Sequence, residues 1–371
     1  MSAFTSIHIT GPDWRDLCNQ AAARLGESAS GDLGFVYVAE QLAPDTDRIL
    51  DCLREHSGIA HWSGCVGMGL CSNGRETYDE PALSILVTPF ADNDFRIIPT
   101  FDQTPDGWLN ATAGWRERNM ATVAVVHADP GSTRLPELLE RLSDGLQGGY
   151  LVGGIASAES LPVQIADRAT GNGLSGVLFG AGVTINTGLS QGCSLIGERH
   201  RITGCERNLI ATIDDRPALD VFKEDIGEVL ARDLTRVGGY IFAALPIPGS
   251  DTGDYLVRNL IGIDPGQGLL AIGDLLETGM EIQFARRDAE TAREDLRAMI
   301  ENLLARLPAK PRGALYHSCL GRGRNLFGVD SDEMKLVAEL LGDVPLAGFY
   351  ANGEISHNRL YGYTGVLTLF S

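Results

Sequence analysis

Residues 313–328, GALYHSCLGRGRNLFG, and 344–355, VPLAGFYANGEI, flank a helix-patterned stretch, and their reading organises the whole chain. A short run of apolar, aromatic and small residues ends in a glycine turn, a helix follows, and a second such run ends in another glycine turn. Met334, Val337, Ala338 and Leu341 recur at the spacing that gives a helix one apolar face. Asp330 with Glu333 three residues on reads as a capping box, and Gly342 as a left-handed stop. YTGVLTLF (363–370) supplies a further strand.

The same succession occurs twice earlier. GFVYVAE (34–40), a helix around 47–56, WSGCVGMG (62–69) and PALSILVTPF (81–90) make the first copy. ATVAVVHAD (121–129), a helix around 135–146, YLVGGIASAES (150–160) and LSGVLFGAGV (174–183) make the second, with Leu135, Leu138, Leu139, Leu142 and Leu146 as its apolar stripe. One β-α-β-β unit is thus used three times, and internal periodicity constrains a fold more than any single motif does. The expected class is α/β, two-lobed, with mixed β-sheets built from these units and covered by helices.

Between the second and third copies the pattern changes. RITGCE (201–206) and LIATI (209–213) read as short strands leading through Asp214 and Asp215 into a helix from about Pro217. Four strand-like runs follow, YIFAALPI (240–247), YLVRNLIGID (255–264), LLAIGD (269–274) and MEIQFARRD (280–288). An amphipathic helix over 289–307 comes next, expected to lie on the carboxy-terminal sheet, with Glu290–Arg293 and Glu294–Arg297 at i, i+3 spacing. A chain of 371 residues suits two domains of about 150 to 200 residues. The expected division is an extension over 1–29, one domain over 30–215 and another over 216–371.

Composition narrows the functional classes. A net charge of −19 disfavours nonspecific binding to nucleic acid or anionic membrane, which requires Lys and Arg to neutralise phosphate. No apolar run approaches the ~20 residues needed to cross a bilayer, and MSAFTSIHIT lacks the regions of a secretory signal; a cytoplasmic location is expected. The seven cysteines (18, 52, 65, 71, 193, 205, 319) include no CxxC pair, which argues against a disulfide framework or a structural zinc site.

The order GCVGMG and PALSILV, then LVGGIAS, then QGCSLIG (191–197) with RITGCERNLIATIDDRPAL (201–219), then SCLGRGRNLFG (318–328) and AGFYANGEI (347–355), resembles the FIST family of bacterial sensory proteins over about residues 30–370. The resemblance implies a ligand-sensing module rather than an enzyme. It would bind a small molecule such as an amino acid and signal through a separate partner, for instance a sensor histidine kinase. The family also includes haem-containing nitric oxide sensors, so haem is an alternative cofactor.

The residues themselves suggest where a ligand would sit. Gly321, Gly323 and Gly328 allow close approach of backbone amides, Arg322 and Arg324 offer planar forks to a carboxylate, and Glu354, with Gly353 before it as a further candidate, offers a partner to an amine. Cys319 and Cys193 lie in the glycine-rich turns beside them. The competing reading is internal, with Arg322 or Arg324 pairing Glu354 directly. A cysteine-dependent enzyme is a further alternative. His317 is two residues from Cys319, about 7 Å along a strand, too far for a direct base-to-thiol bond. For haem, which needs an imidazole facing an apolar pocket, the candidates are His61, His127, His200 and His317, with His200 and His317 beside the family motifs.

Overall fold

Three strand–helix–strand units do form, and their registers match residue for residue. In the computed structural model, which describes residues 4–25, 31–247 and 254–371, the first comprises Leu33–Ala39, helix Thr46–Ser57 and His61–Gly67, with Ala82–Val87 returning antiparallel to its first strand. The second comprises Val123–Ala128, Leu135–Gly145 and Tyr150–Ile155, with Leu174–Phe179 returning. The third comprises Gly313–Cys319, Asp332–Leu341 and Leu346–Ala351, with Thr364–Phe370 returning. Parallel partners Val36–Gly64, Val126–Gly153 and Tyr316–Gly348 fall at the same place in each. A Cβ on those glycines would stand 1.8, 1.8 and 1.9 Å from the partner's carbonyl oxygen, so all three sites demand glycine.

That equivalence brings Tyr37, His127 and His317 to corresponding positions. Tyr37 Oη lies 2.9 Å from His317 Nε2 and 3.3 Å from His127 Nε2, and all three side chains are fully buried. Phe349 stacks on Tyr37 with ring centroids 5.0 Å apart, and Phe35, Val125, Leu315 and Phe370 extend the same core. Each helix buries its apolar stripe on the outer face of its sheet. In the second unit Leu135, Leu138, Leu139 and Leu142 are buried, at about 2 kcal/mol for each side chain removed from water.

Each unit also carries a hairpin between its second and returning strands, and each hairpin joins another unit's sheet. Gly69–Ser72 pairs with Leu346–Ala351, Gln164–Ala166 with His61–Gly67, and Glu354–His357 with Tyr150–Ile155. The exchange is cyclic. The turns close in the same cycle: Ser157 N donates to Val66 O (3.2 Å) and Asn352 N to Ile155 O (3.0 Å). The third link passes through a side chain, Met68 N to Ser157 Oγ (3.0 Å) and Ser157 Oγ to Tyr350 O (2.6 Å).

The chain divides into two compact units. One comprises Met1–Gln191 with Arg293–Ser371, the other Gly192–Ala292. The third sheet requires Ile185–Gln191 at one edge and the hairpin Gly69–Tyr78 at the other, which keeps it with the first two copies. The stretch read as an extension contributes Thr5–Thr10, paired with Ala82–Val87, and helix Trp14–Leu25. Helix Ala289–Arg306 sets Met299 and Leu303 against Gly188 of strand Ile185–Gln191.

In the unit Gly192–Ala292 the strands Cys193–Glu206, Glu281–Arg287, Ile241–Pro246, Tyr255–Asp264, Leu269–Ile272 and Leu209–Ile213 are hydrogen-bonded in that order. The last pairs back with the first, closing the sheet as in a small barrel. Helix Ala218–Ala231 packs Leu219, Phe222 and Ile226 into its core against Ile202, Ile241 and Phe284.

Candidate functional site

The turn 320–328 leaves the carboxyl end of Gly313–Cys319, where side chains of several elements converge. Arg322, placed by sequence as a free fork, is fully buried and already paired. Its Nε donates to Glu333 Oε1 (2.8 Å), which also accepts from Tyr316 Oη (2.8 Å) and Ser318 Oγ (2.9 Å), while Glu333 Oε2 accepts from Gly323 N (2.8 Å). The guanidinium reaches Ser190 O at 3.3 Å and lies 5.0 Å from the centre of the Phe327 ring. Burial by itself would lower the Arg322 pKa; the adjacent Glu333 carboxylate more than reverses this. A pair satisfied so fully offers little to a ligand carboxylate.

Arg324 is the more accessible arginine. It pairs with Asp79 and lies 4.3 Å from the centre of the Tyr78 ring. Gly323, at φ +47°, is needed because a Cβ there would meet Tyr78 Oη at 2.1 Å, and one on Gly321 would meet the Tyr363 ring at 2.8 Å. Tyr78 in turn donates to Glu76 Oε2 (3.0 Å), and burial, followed by repulsion from Glu333, pushes the Glu76 carboxyl up to about 7. Gly353, at φ +125°, forms the turn into the strand that begins with Glu354.

Glu354 is fully buried. Its Oε2 accepts from Thr364 N (3.1 Å) and Thr364 Oγ1 (2.7 Å), whereas Oε1 has no N–H or O–H partner among the described residues and the carboxyl's other donor is the Cys319 thiol. Burial pushes its carboxyl up to about 8, against the weaker opposing pull of the Thr364 bonds, Arg322 and Cys319. Neither arginine pairs it directly: Arg322 holds Glu333 and Arg324 holds Asp79. Cys319 is itself pushed well up, first by burial and then by Glu354, so it stays a neutral thiol.

The remaining candidates fall elsewhere. His317 points into the core, where burial drives its pKa down to about 3, and the rings of Tyr37, His127 and Phe349 stand around it at 5.8, 5.9 and 5.5 Å. Cys193 begins a strand of the unit Gly192–Ala292, its carbonyl accepting from Tyr255 Oη. His200, in the same strand, engages Asp214 through Nδ1 (2.6 Å) and Asp225 through Nε2 (2.9 Å). An axial haem ligand needs a free nitrogen facing an apolar opening. His200 has both nitrogens occupied and His317 is enclosed by rings, so these two residues do not fit that group. His61 bonds Asp167 through Nδ1 (2.9 Å) at the rim of a polar hollow of about 500 Å³, lined also by Asp47, Asp51, Arg54 and Arg168. Apart from His61, none of the sequence-predicted residues, Cys319, Gly321, Arg322, Gly323, Arg324, Gly353, Glu354 and Cys193 included, lines it.

Sequence reasoning missed Glu333, Tyr78 and Glu76. Glu333 carries the signature of a capping residue, yet Ser331 occupies the N-cap at φ 59° with its hydroxyl accepting from Glu76 N (2.9 Å) instead of capping the helix, and Glu333 turns inward to Arg322. An arginine buried among glycines is the signal that it needs an acid nearby. Tyr78 and Glu76 come from the hairpin of another repeat, some 250 residues away in sequence (|i−j| 246 for Tyr78 to Arg324).

The FIST N domain matches residues 32–216 and the FIST C domain residues 218–357. An uncharacterized protein of Mycobacterium tuberculosis H37Rv is 34% identical over 97% of this chain and 97% of its own length. One of Mycobacterium bovis is 32% identical, also over 97% of each. Among solved structures, the cyanuric acid hydrolase from A. caulinodans aligns over 100% of this chain and 99% of its own at 11% identity and a TM-score of 0.35, too distant to carry an argument.

Proposed function

The chain is a member of the FIST family, carrying both its N and C domains, and on that premise we propose that it is a small-ligand sensor whose site lies at Glu354 and the turn 320–328. FIST domains are associated with sensory signal transduction. The ligand class is a small polar molecule such as an amino acid, and the signal passes to a separate protein partner.

The observation that supports this reading is Glu354, a buried carboxyl held near 8 whose Oε1 has no N–H or O–H partner among the described residues and only the weak donor of the Cys319 thiol beside it. Buried polar groups left this way call for an explanation, and strongly shifted acids concentrate at functional sites. Protonated at neutral pH, Glu354 donates to an acceptor on the ligand; beside the ligand's ammonium group its pKa falls, it releases its proton to solvent and it becomes the counter-ion. Arg324, with an exposed partner in Asp79, is the fork left to meet a carboxylate. A ligand that prefers one arrangement of the turn shifts its population and alters what the partner meets. No catalytic step is assigned, because Cys319 is held as a neutral thiol and His317 faces the core.

Thermal-shift measurements with each common amino acid, on wild type and Glu354→Gln, test the proposal. A stabilisation of wild type by one amino acid that is lost or sharply reduced in the variant supports it. Equal shifts in both proteins, or none in either, would remove Glu354 as the ligand contact.

A further inference from the structure

The chain leaves the first unit at Gln191 and re-enters it at Arg293. Both crossings are held by the turn that carries the candidate site. On the outgoing side, the Arg322 guanidinium contacts Ser190 O (3.3 Å) and Ser190 Oγ (3.4 Å), one residue before the crossing. On the returning side, Arg293 donates to Phe327 O and places its guanidinium 5.3 Å from the centre of the Phe327 ring. Arg322 contacts the same ring at 5.0 Å. The crossings are also tied to each other, since Gln191 N donates to Asp295 Oδ2 at 2.6 Å.

These contacts are made by side chains and are not themselves ladder or intrahelical backbone bonds. Sequence spacing offered Arg293 a partner in Glu290 on its own helix, yet it reaches across to the turn. Two cations on one aromatic ring, and a charge-assisted bond from each crossing, make a local device around Phe327. Within the turn, Gly323 has no spare room, with Tyr78 and Tyr350 against it. Any group that displaces this backbone therefore moves the residues that grip both crossings.

We propose that the turn 320–328 is a clamp on the two chain crossings, and that occupancy of the Glu354 site is transmitted to the segment 192–292 by tightening or releasing this clamp. The clamp stands on the contacts above; only its trigger rests on the ligand-sensing reading.

Hydrogen exchange followed by mass spectrometry on the full chain separates the two. Arg293→Ala removes the returning grip, and Gly323→Ala forces the turn against Tyr78 Oη, which a Cβ would meet at 2.1 Å. Each is expected to speed exchange in peptides covering 188–194 and 290–297 by about tenfold, the loss appropriate to a charge-assisted bond. Exchange in Leu33–Ala39 and Val123–Ala128 should stay as in wild type. Wild-type exchange at 188–194 in both variants would overturn the clamp, as would a change confined to 320–328; should Gly323→Ala not fold, Arg293→Ala decides alone. A mixture of the common amino acids is then added to wild type and Arg293→Ala. A change at 188–194 in wild type only supports the transmission. A thermal shift without any change at the crossings overturns transmission while leaving the ligand reading intact; no thermal shift, with the variant effects present, sinks the ligand reading instead.

Discussion

Replacing Glu354 by Gln should stabilise the protein, and by an amount that grows with pH. In the unfolded chain this carboxyl ionises near 4.5, whereas in the fold burial holds it protonated up to about 8. A group whose folded pKa is raised contributes fully below its unfolded pKa, and that contribution is lost as pH climbs through the folded value. At about 1.4 kcal/mol per pH unit, the loss relative to pH 4 is roughly 3 kcal/mol at pH 7 and roughly 5 kcal/mol at pH 9. Gln keeps the carbonyl that accepts from Thr364 N and Oγ1 and titrates nowhere in this range. All four tryptophans (14, 62, 108, 115) belong to the unit containing Glu354, so their fluorescence during urea unfolding reports the relevant transition. Wild type and variant should differ little at pH 4.5 and diverge steadily to pH 9. Glu76, with its own folded value near 7, adds a slope to both proteins and drops out of the difference. Parallel curves, or a variant less stable than wild type at pH 7, would refute the argument that Glu354 is a buried protonated acid.

Glu333→Gln leaves the Arg322 charge buried without its counter-ion and is expected to cost about 3 to 5 kcal/mol by urea unfolding; Asp79→Asn, at the exposed Arg324 pair, should change stability by less than about 1 kcal/mol. Gly153→Ala drives a methyl to 1.8 Å from Val126 O at a backbone φ of +152°, so a loss of at least about 3 kcal/mol or failure to accumulate as folded protein is expected. For His200, burial lowers the pKa but the bonds to Asp214 and Asp225 outweigh it, leaving a raised value. Its stabilisation of the 192–292 unit is therefore complete below about 6.5 and fades as pH rises through the folded pKa. Hydrogen exchange in Cys193–Glu206, corrected for intrinsic rates, should lose protection from pH 6 to pH 9 in wild type and change much less in His200→Gln.

The three repeats were legible because strand and helix periods are local signals, and Gly64, Gly153 and Gly348 mark equivalent points that only glycine fills. Helix Ala289–Arg306 and the four strand runs before it were readable for the same reason. The hairpin exchange was not, since pairing Gly69–Ser72 with Leu346–Ala351 is a contact between distant segments with no local signature. The boundary near 215 coincides with the junction of the FIST N and C domains, but the compact units follow the sheet that Ile185–Gln191 completes. At the site, residue types pointed to an arginine–glutamate clamp. Burial decides which partners the side chains take: Arg322 needed a carboxylate that could be enclosed with it, and Glu333, in the first turn of the helix Asp332–Leu341, supplied it.

The cyclic exchange of hairpins has a consequence for how the chain is made. A ribosome releases the first repeat, with its hairpin Gly69–Tyr78, long before the strand Leu346–Ala351 that this hairpin must pair. Until then the hairpin has its own two strands only, and such ribbons are marginal in water. Closure of the first unit is therefore a late event of synthesis, with a non-local pairing that is slow to search and exposes strand edges while it waits. The 192–292 barrel, whose described strands pair among themselves, is complete earlier and is free to fold while its host is still unfinished.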